Sequence, residues 1–162
     1  MTARTALLLL LVISGCGYSL VHRVGPDRLS MPTFQNETDR PAIEGKITEG
    51  VRISLLRQLG TRLTRSPNDT DSLLRGRITK YATTPLSFDS EGRVETYRLT
   101  LSLSYRLERP GKTGHGQVAT GFSDYTVFRN TEKTAMAEQS ALTEAATRIA
   151  EQIGMRLWGA TP

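Results

Sequence analysis

Cysteine occurs once in the 162 residues, tryptophan once and histidine twice, and aromatic side chains make up only 6% of the chain. One cysteine excludes an intramolecular disulfide. The two histidines, His22 and His115, lie far apart in the sequence, and no acidic or thiol cluster has metal-ligand spacing. A glycine-rich phosphate loop and a nucleophile–base motif are also missing, so neither enzymatic activity nor a metal or cofactor is expected. Long apolar runs are scarce too. The longest, Ala6 to Ile13, is under half of the roughly 20 residues that a membrane-spanning helix needs. Acidic residues are outnumbered: 21 Lys and Arg stand against 16 Asp and Glu, giving a net charge of +5. A basic surface of this kind favours acidic partners.

What the chain does have begins at its N-terminus. Met-Thr-Ala-Arg, the apolar run, and Ser14-Gly15 form the layout of an export signal over residues 1–15. Ile13-Ser14-Gly15-Cys16 resembles a lipobox, in which an aliphatic residue and two small ones precede a cysteine that is cleaved free and lipidated on sulfur. The other reading is an ordinary signal peptide with a stray cysteine, which would leave a lone thiol in an oxidising compartment. Lipidation of Cys16 removes that oddity, and several acyl chains suffice for stable anchoring. Gly17 stands where an aspartate would retain an enterobacterial lipoprotein in the inner membrane. That resemblance implies the outer membrane, facing the periplasm, where a basic surface does not meet nucleic acid. Residues 16–28 then form a tether, and 29–159 a single domain of ordinary size.

Within that domain, hydrophobic spacing predicts six elements. A first strand lies near Leu29–Thr33, shortened by Pro32. A helix runs from about Pro41 to Leu59, with Ile43, Ile47, Val51, Leu55 and Leu59 four residues apart, Asp39 near its N-cap and Gly60 as its C-cap. After the polar turn Ser66-Pro67-Asn68-Asp69, a second strand spans Ser72–Tyr81. The clearest signal is Tyr97, Leu99, Leu101, Leu103, Tyr105 and Leu107 alternating with Arg98, Thr100, Ser102, Ser104 and Arg106, a strand with one apolar and one polar face. A fourth strand covers Gln117–Phe128, with Val118, Phe122 and Tyr125 as its bulky members. The Ala-rich segment of roughly Glu132–Trp158 carries an apolar stripe, Leu142, Ala145, Ile149, Ile153 and Leu157, and forms a second helix. The order β-α-β-β-β-α predicts an α+β two-layer sandwich, a four-stranded mixed sheet with two amphipathic helices on one face.

Two features of this arrangement carry chemistry. Arg75, Arg77, Arg98 and Arg106 leave the sheet on the uncovered side among Thr and Ser. Guanidinium groups in a row can bind phosphates in bidentate fashion, although antiparallel sheets also solvate one face with such residues. The connection Thr83–Arg93 reads as a long loop with Pro85, Leu86 and Phe88 at its tip. Apolar residues there either mark a docking site or fold back onto the sheet.

Cys16-Gly17-Tyr18-Ser19-Leu20, then Met31-Pro32-Thr33-Phe34-Gln35-Asn36-Glu37-Thr38, the helix 44–59, and Thr84 to Arg98 together resemble the LptE family of lipopolysaccharide-assembly lipoproteins. Each motif alone is a strand end or a turn, and their joint order over nearly the whole mature chain is what carries the resemblance. It implies a non-catalytic outer-membrane lipoprotein that plugs the lumen of an LptD-type β-barrel and assists insertion of lipopolysaccharide into the outer leaflet. A polar sheet face suits a water-filled barrel interior. No family motif maps lipopolysaccharide-binding positions onto this chain, so Arg75, Arg77, Arg98 and Arg106 are candidates by their chemistry, and Pro85, Leu86 and Phe88 are the candidate barrel contacts. A lipoprotein of a different class, binding envelope glycolipid or peptidoglycan without a barrel, is the alternative.

Overall fold

A computed structural model describes residues 28–60, 62–64 and 71–159. The signal segment, Cys16, the tether up to Asp27 and the turn at Ser66–Asp69 lie outside the described residues. The elements are β1 (Arg28–Ser30), β2 (Gln35–Asn36), α1 (Glu44–Leu59), β3 (Arg62–Thr64), β4 (Ser72–Phe88), β5 (Val94–Arg109), β6 (Lys112–Thr113), β7 (Gln117–Thr126) and α2 (Thr131–Gly159). The long elements follow the expected α+β order, and β2, β3 and β6 are additions of two or three residues. The sheet is mixed: β1 pairs in parallel with β3 and β4, β2 in parallel with β4, and β4, β5 and β7 form an antiparallel run.

Both helices cover one face. Ile43, Ile47, Val51 and Leu55 meet Leu142, Ala145, Ile149, Ile153 and Leu157 over Leu74, Ile78, Leu99, Leu101, Leu103 and Tyr105, all buried in one core. The helices run in the same direction, because Gly50 faces Ala146 and Gly154 faces Gln58. Gly60 closes α1 in the left-handed conformation, φ 55°, and its N–H donates to the Leu56 carbonyl at 3.1 Å.

The start of α1 corrects the sequence expectation. Asp39 does not cap it and Pro41 lies before it; the helix begins at Glu44 after Ile43, which makes no side-chain cap bond. Asn36 holds the preceding residues in a turn of their own, its amide donating to the Arg40 carbonyl at 2.7 Å and its side-chain oxygen accepting from the Thr38 N–H at 3.0 Å. Ala42 then takes φ 59°, which a helix cannot continue through.

A second correction concerns the long connection. Thr83–Phe88 is strand, and only Asp89–Arg93 turns, so β4 and β5 make a long hairpin. Asp89 organises the tip: its carboxylate accepts from the N–H groups of Glu91 and Arg93 at 2.9 Å each. Pro85 fits because it sits on an edge strand at a register break, where a missing N–H costs least. A second irregularity between Ile78 and Lys80 switches the strand's phase. Before it Leu74, Gly76 and Ile78 face the helices, and beyond it Tyr81, opposite Leu101, does so.

The orientation of β7 is set by its neighbours. Val118 and Phe122 are 55% and 42% exposed on the open face, whereas Ala119, Gly121 and Ser123 face α2 and are buried. Small residues are required there because the helix backbone lies close: a Cβ on Gly121 would come within 2.0 Å of the Ala145 carbonyl oxygen.

Candidate functional site

The uncovered sheet face is built by β4, β5 and β7, and their register fixes which arginines meet. Arg75 lies directly opposite Arg106, and Arg77 opposite Ser104. These residues line one groove of about 510 Å³ with Pro32, Thr33 and Gln35. The segment between β1 and β2 forms its wall because it is tied to α1: Phe34 N–H donates to Thr48 Oγ1 at 3.0 Å, and Arg52 donates to the Met31 carbonyl at 2.7 Å. Gly76 makes room for this wall, since a Cβ would stand 2.6 Å from Cδ1 of the Phe34 ring.

The charges in the groove are only partly balanced. Arg75 pairs with Glu108 at 3.1 Å and Arg77 with Glu37 at 3.0 Å, while Arg106 has no carboxylate partner among the described residues. Like charges directly opposite on a sheet destabilise it. An arginine pair kept in that position is therefore suited to an anion that bridges it, and a phosphate matches the guanidinium fork.

Arg98 belongs elsewhere. It lies eight residues from Arg106 along β5, about 27 Å at strand spacing, and is held in a bidentate pair with Asp124 at 2.8 and 2.9 Å. Its guanidinium stands 4.9 Å from the Phe122 ring centroid, and Arg148 of α2 stands 5.0 Å from it, so the ring has two cations in cation–π range. The Arg98 hydrogen bonds hold the Asp124 carboxyl below its usual range and raise the guanidinium in turn. Glu144 is likewise lowered, first by its bond from Arg148 and then by Ser123. This cluster clamps β7 to β5 and α2. Sequence reading missed it because Asp124 and Phe122 face Arg98 only through the β5–β7 register.

Along the same edge, α2 hooks over β7. Gln152 both accepts from the Thr120 N–H at 3.2 Å and donates to the Thr120 carbonyl at 2.7 Å, and Arg156 donates to the Val118 carbonyl at 3.2 Å. Residues 148, 152 and 156 are one helical turn apart, which brings them to one face. The opposite edge, β4 beyond Ile78, pairs with no strand among the described residues.

At the hairpin end, Leu86 is 44% exposed and Phe88 59%, and Pro85 is exposed with them. They do not fold back onto the sheet. Nearby, Tyr81 donates to Glu138 at 2.6 Å and Arg40 donates to the same oxygen at 3.0 Å. Burial, then the Glu138 carboxylate, pushes the Tyr81 hydroxyl well above its ordinary range. Among the described residues no group of three or more acidic, histidine or cysteine side chains is placed to hold a metal, and no helix is long and apolar enough to cross a membrane.

Fold and site together define a small two-layer α+β module with a basic, uncovered sheet face and an apolar-tipped hairpin. Its residues 27–157 match the model of the LptE family, described as lipopolysaccharide-assembly. The chain belongs to the LptE family, whose members are outer-membrane lipoproteins serving lipopolysaccharide assembly. Among solved structures it is similar to a putative lipoprotein of Caulobacter crescentus, with 14% identity, 81% of this chain and 88% of that one covered, and a TM-score of 0.56. A hypothetical protein of Chlamydia trachomatis is similar at 9% identity, with 82% and 98% covered and a TM-score of 0.55. A minor lipoprotein of Acinetobacter baumannii gives 14%, with 80% and 94% covered and a TM-score of 0.50. At these identities the likeness extends to the fold. No curated protein matches the chain in sequence.

Proposed function

We propose that this chain is a non-catalytic lipoprotein, anchored through Cys16 on the periplasmic side of the outer membrane, that plugs an LptD-type β-barrel and supports insertion of lipopolysaccharide into the outer leaflet. The observation that carries the lipopolysaccharide contact is the cross-strand pair of Arg75 and Arg106, with Arg77 beside it in the same groove. Phosphate groups supply the anion that Arg106 lacks among the described residues. Arg98, committed to Asp124, takes the secondary role of fixing the sheet edge. The polar face suits a water-filled lumen, and Pro85, Leu86 and Phe88 supply apolar contact with the barrel wall.

The test has two arms. Purification in mild detergent is expected to bring a large barrel protein with the chain, and its consistent absence refutes the plug. Arg75→Glu with Arg106→Glu is expected to weaken lipopolysaccharide binding by about tenfold or more, as loss of charge-assisted hydrogen bonds would. Unchanged binding by the folded double variant refutes the groove.

A further inference from the structure

The three arginines of the groove are not held alike. Arg75, Arg77 and Arg106 all line it, and no Asp or Glu does so among the described residues. The carboxylates that pair with Arg75 and Arg77 therefore stand outside the lining of the cavity. Glu108 lies two residues beyond Arg106 on β5, diagonal to Arg75 across the β4–β5 register. Glu37 lies two residues beyond Gln35, which is the cross-strand partner of Arg77. Each acid is thus brought beside one arginine, while Arg106 is left with none among the described residues.

Both ion pairs are easily opened. Arg75 reaches Glu108 through Nε alone at 3.1 Å, Arg77 reaches Glu37 through Nη1 alone at 3.0 Å, and the four side chains are 27–58% exposed. An exposed single-point pair of this kind shifts an equilibrium by no more than about fivefold. Arg98 and Asp124 make the contrast, with two bonds of 2.8 and 2.9 Å that engage Nε and Nη2 together. The two carboxylates are also placed by backbone and not by their arginines. Glu108 is paired on both sides, with Leu73 and Thr113, and the Glu37 N–H donates to the Ile78 carbonyl at 2.9 Å. An arginine that leaves its acid for a ligand has the same acid to return to.

We infer that Glu37 and Glu108 are internal counter-ions that set the release of a phosphate-bearing ligand from the groove. The ligand meets Arg106 first, draws Arg75 and Arg77 off their carboxylates, and is let go when the carboxylates take them back. This rests on the reading of the groove as the anion site and gives that site its character. A site on a transfer route has to bind weakly enough for its cargo to leave. Without the two acids, three positive charges face the ligand unopposed, and binding tightens. Glu37 and Glu108 are positioning residues, acting through Arg77 and Arg75.

Glu37→Gln with Glu108→Gln keeps the side-chain volumes and removes both charges. In calorimetry of the full chain in non-ionic detergent with purified lipopolysaccharide, each single variant is expected to bind up to about fivefold more tightly than the parent and the double variant up to about 25-fold. Surface plasmon resonance is expected to place the gain in slower dissociation. Asp124→Asn, which removes the carboxylate of the Arg98 pair instead, leaves binding unchanged. A merely structural role gives the opposite sign, since acids that only hold the arginines in place weaken binding when lost. Cells whose only copy is the double variant are expected to admit bulky antibiotics more readily, although the protein binds more tightly. Equal or weaker binding by the folded Gln variants, with Arg75→Glu and Arg106→Glu still weakening it, overturns the counter-ion role and leaves the groove standing. Unchanged binding by that arginine variant overturns the groove and this inference with it. Tighter binding with an intact outer-membrane barrier overturns the assignment to release.

Discussion

Replacing glycine by alanine at positions 121 and 45 is the same chemical change in two surroundings, and opposite signs are expected. At Gly121 the added Cβ would stand 2.0 Å from the Ala145 oxygen, 2.8 Å from its carbon and 3.2 Å from its Cα. The obstacle is helix backbone, which no rotamer change can move aside. Restoring ordinary van der Waals contact needs α2 to retreat from β7 by about 1.4 Å. Such a retreat loosens Ala145, Ile149 and Ile153 over the sheet and pulls Gln152 from Thr120. Overpacking of this kind costs about 1–3 kcal/mol, a fall in Tm of roughly 5–15 °C for a domain of this size. Gly45, in the first turn of α1, has nothing within 4 Å of an added Cβ, so alanine there removes only backbone freedom and stabilises by up to about 1 kcal/mol. Urea and thermal unfolding of the two variants beside the parent chain measure both effects, with matching m-values as the check on two-state behaviour. A Gly121→Ala variant that unfolds at the same urea concentration as the parent would refute the seating of α2 on this strand.

Gln152→Ala should expose the Thr120 backbone and, besides losing stability, make the protein associate with rising concentration; light scattering that stays monomeric across the range counts against the edge-covering role. Arg52→Ala leaves the buried Met31 carbonyl without its donor and should cost about 1–3 kcal/mol by denaturant unfolding; a loss within experimental error would show that water replaces it. Asp124, with its folded pKa depressed by Arg98, contributes stability that is present above the ordinary carboxylate range near 4 and is lost as pH falls through the lower folded value. Asp124→Asn should therefore flatten the stability curve below about pH 4, and an acid limb identical to the parent's would remove the Asp124–Arg98 pair as a source.

The long elements were legible because each has one clean period. Leu99, Leu101 and Leu103 alternate without a break, and the stripes on the two helices recur every three or four residues. Legibility failed where one residue changed the phase or where neighbours, not the segment itself, decided burial. Pro85 reads as a strand breaker, yet it is tolerated at an edge bulge. Phe122 and Val118 are bulky members of β7, and they face outward because the helix demanded small residues on the other side. The short strands β2, β3 and β6 have no period to read, since they exist only through their partners. In the groove, the sequence supplied four arginines but not their register, and register is what joins Arg75 to Arg106 and commits Arg98 to Asp124.

The covered edge of β7 has a consequence for assembly. Strand addition propagates only when each newcomer presents a fresh edge to the next. Here α2 covers the β7 edge through Gln152 and Arg156, which leaves β4 beyond Ile78 as the longest open edge among the described residues. A second copy joining there edge to edge would close the pair by two-fold symmetry and turn its own covered β7 outward. The covered strand is in effect a chain terminator, since pairing at β4 does not propagate through β7.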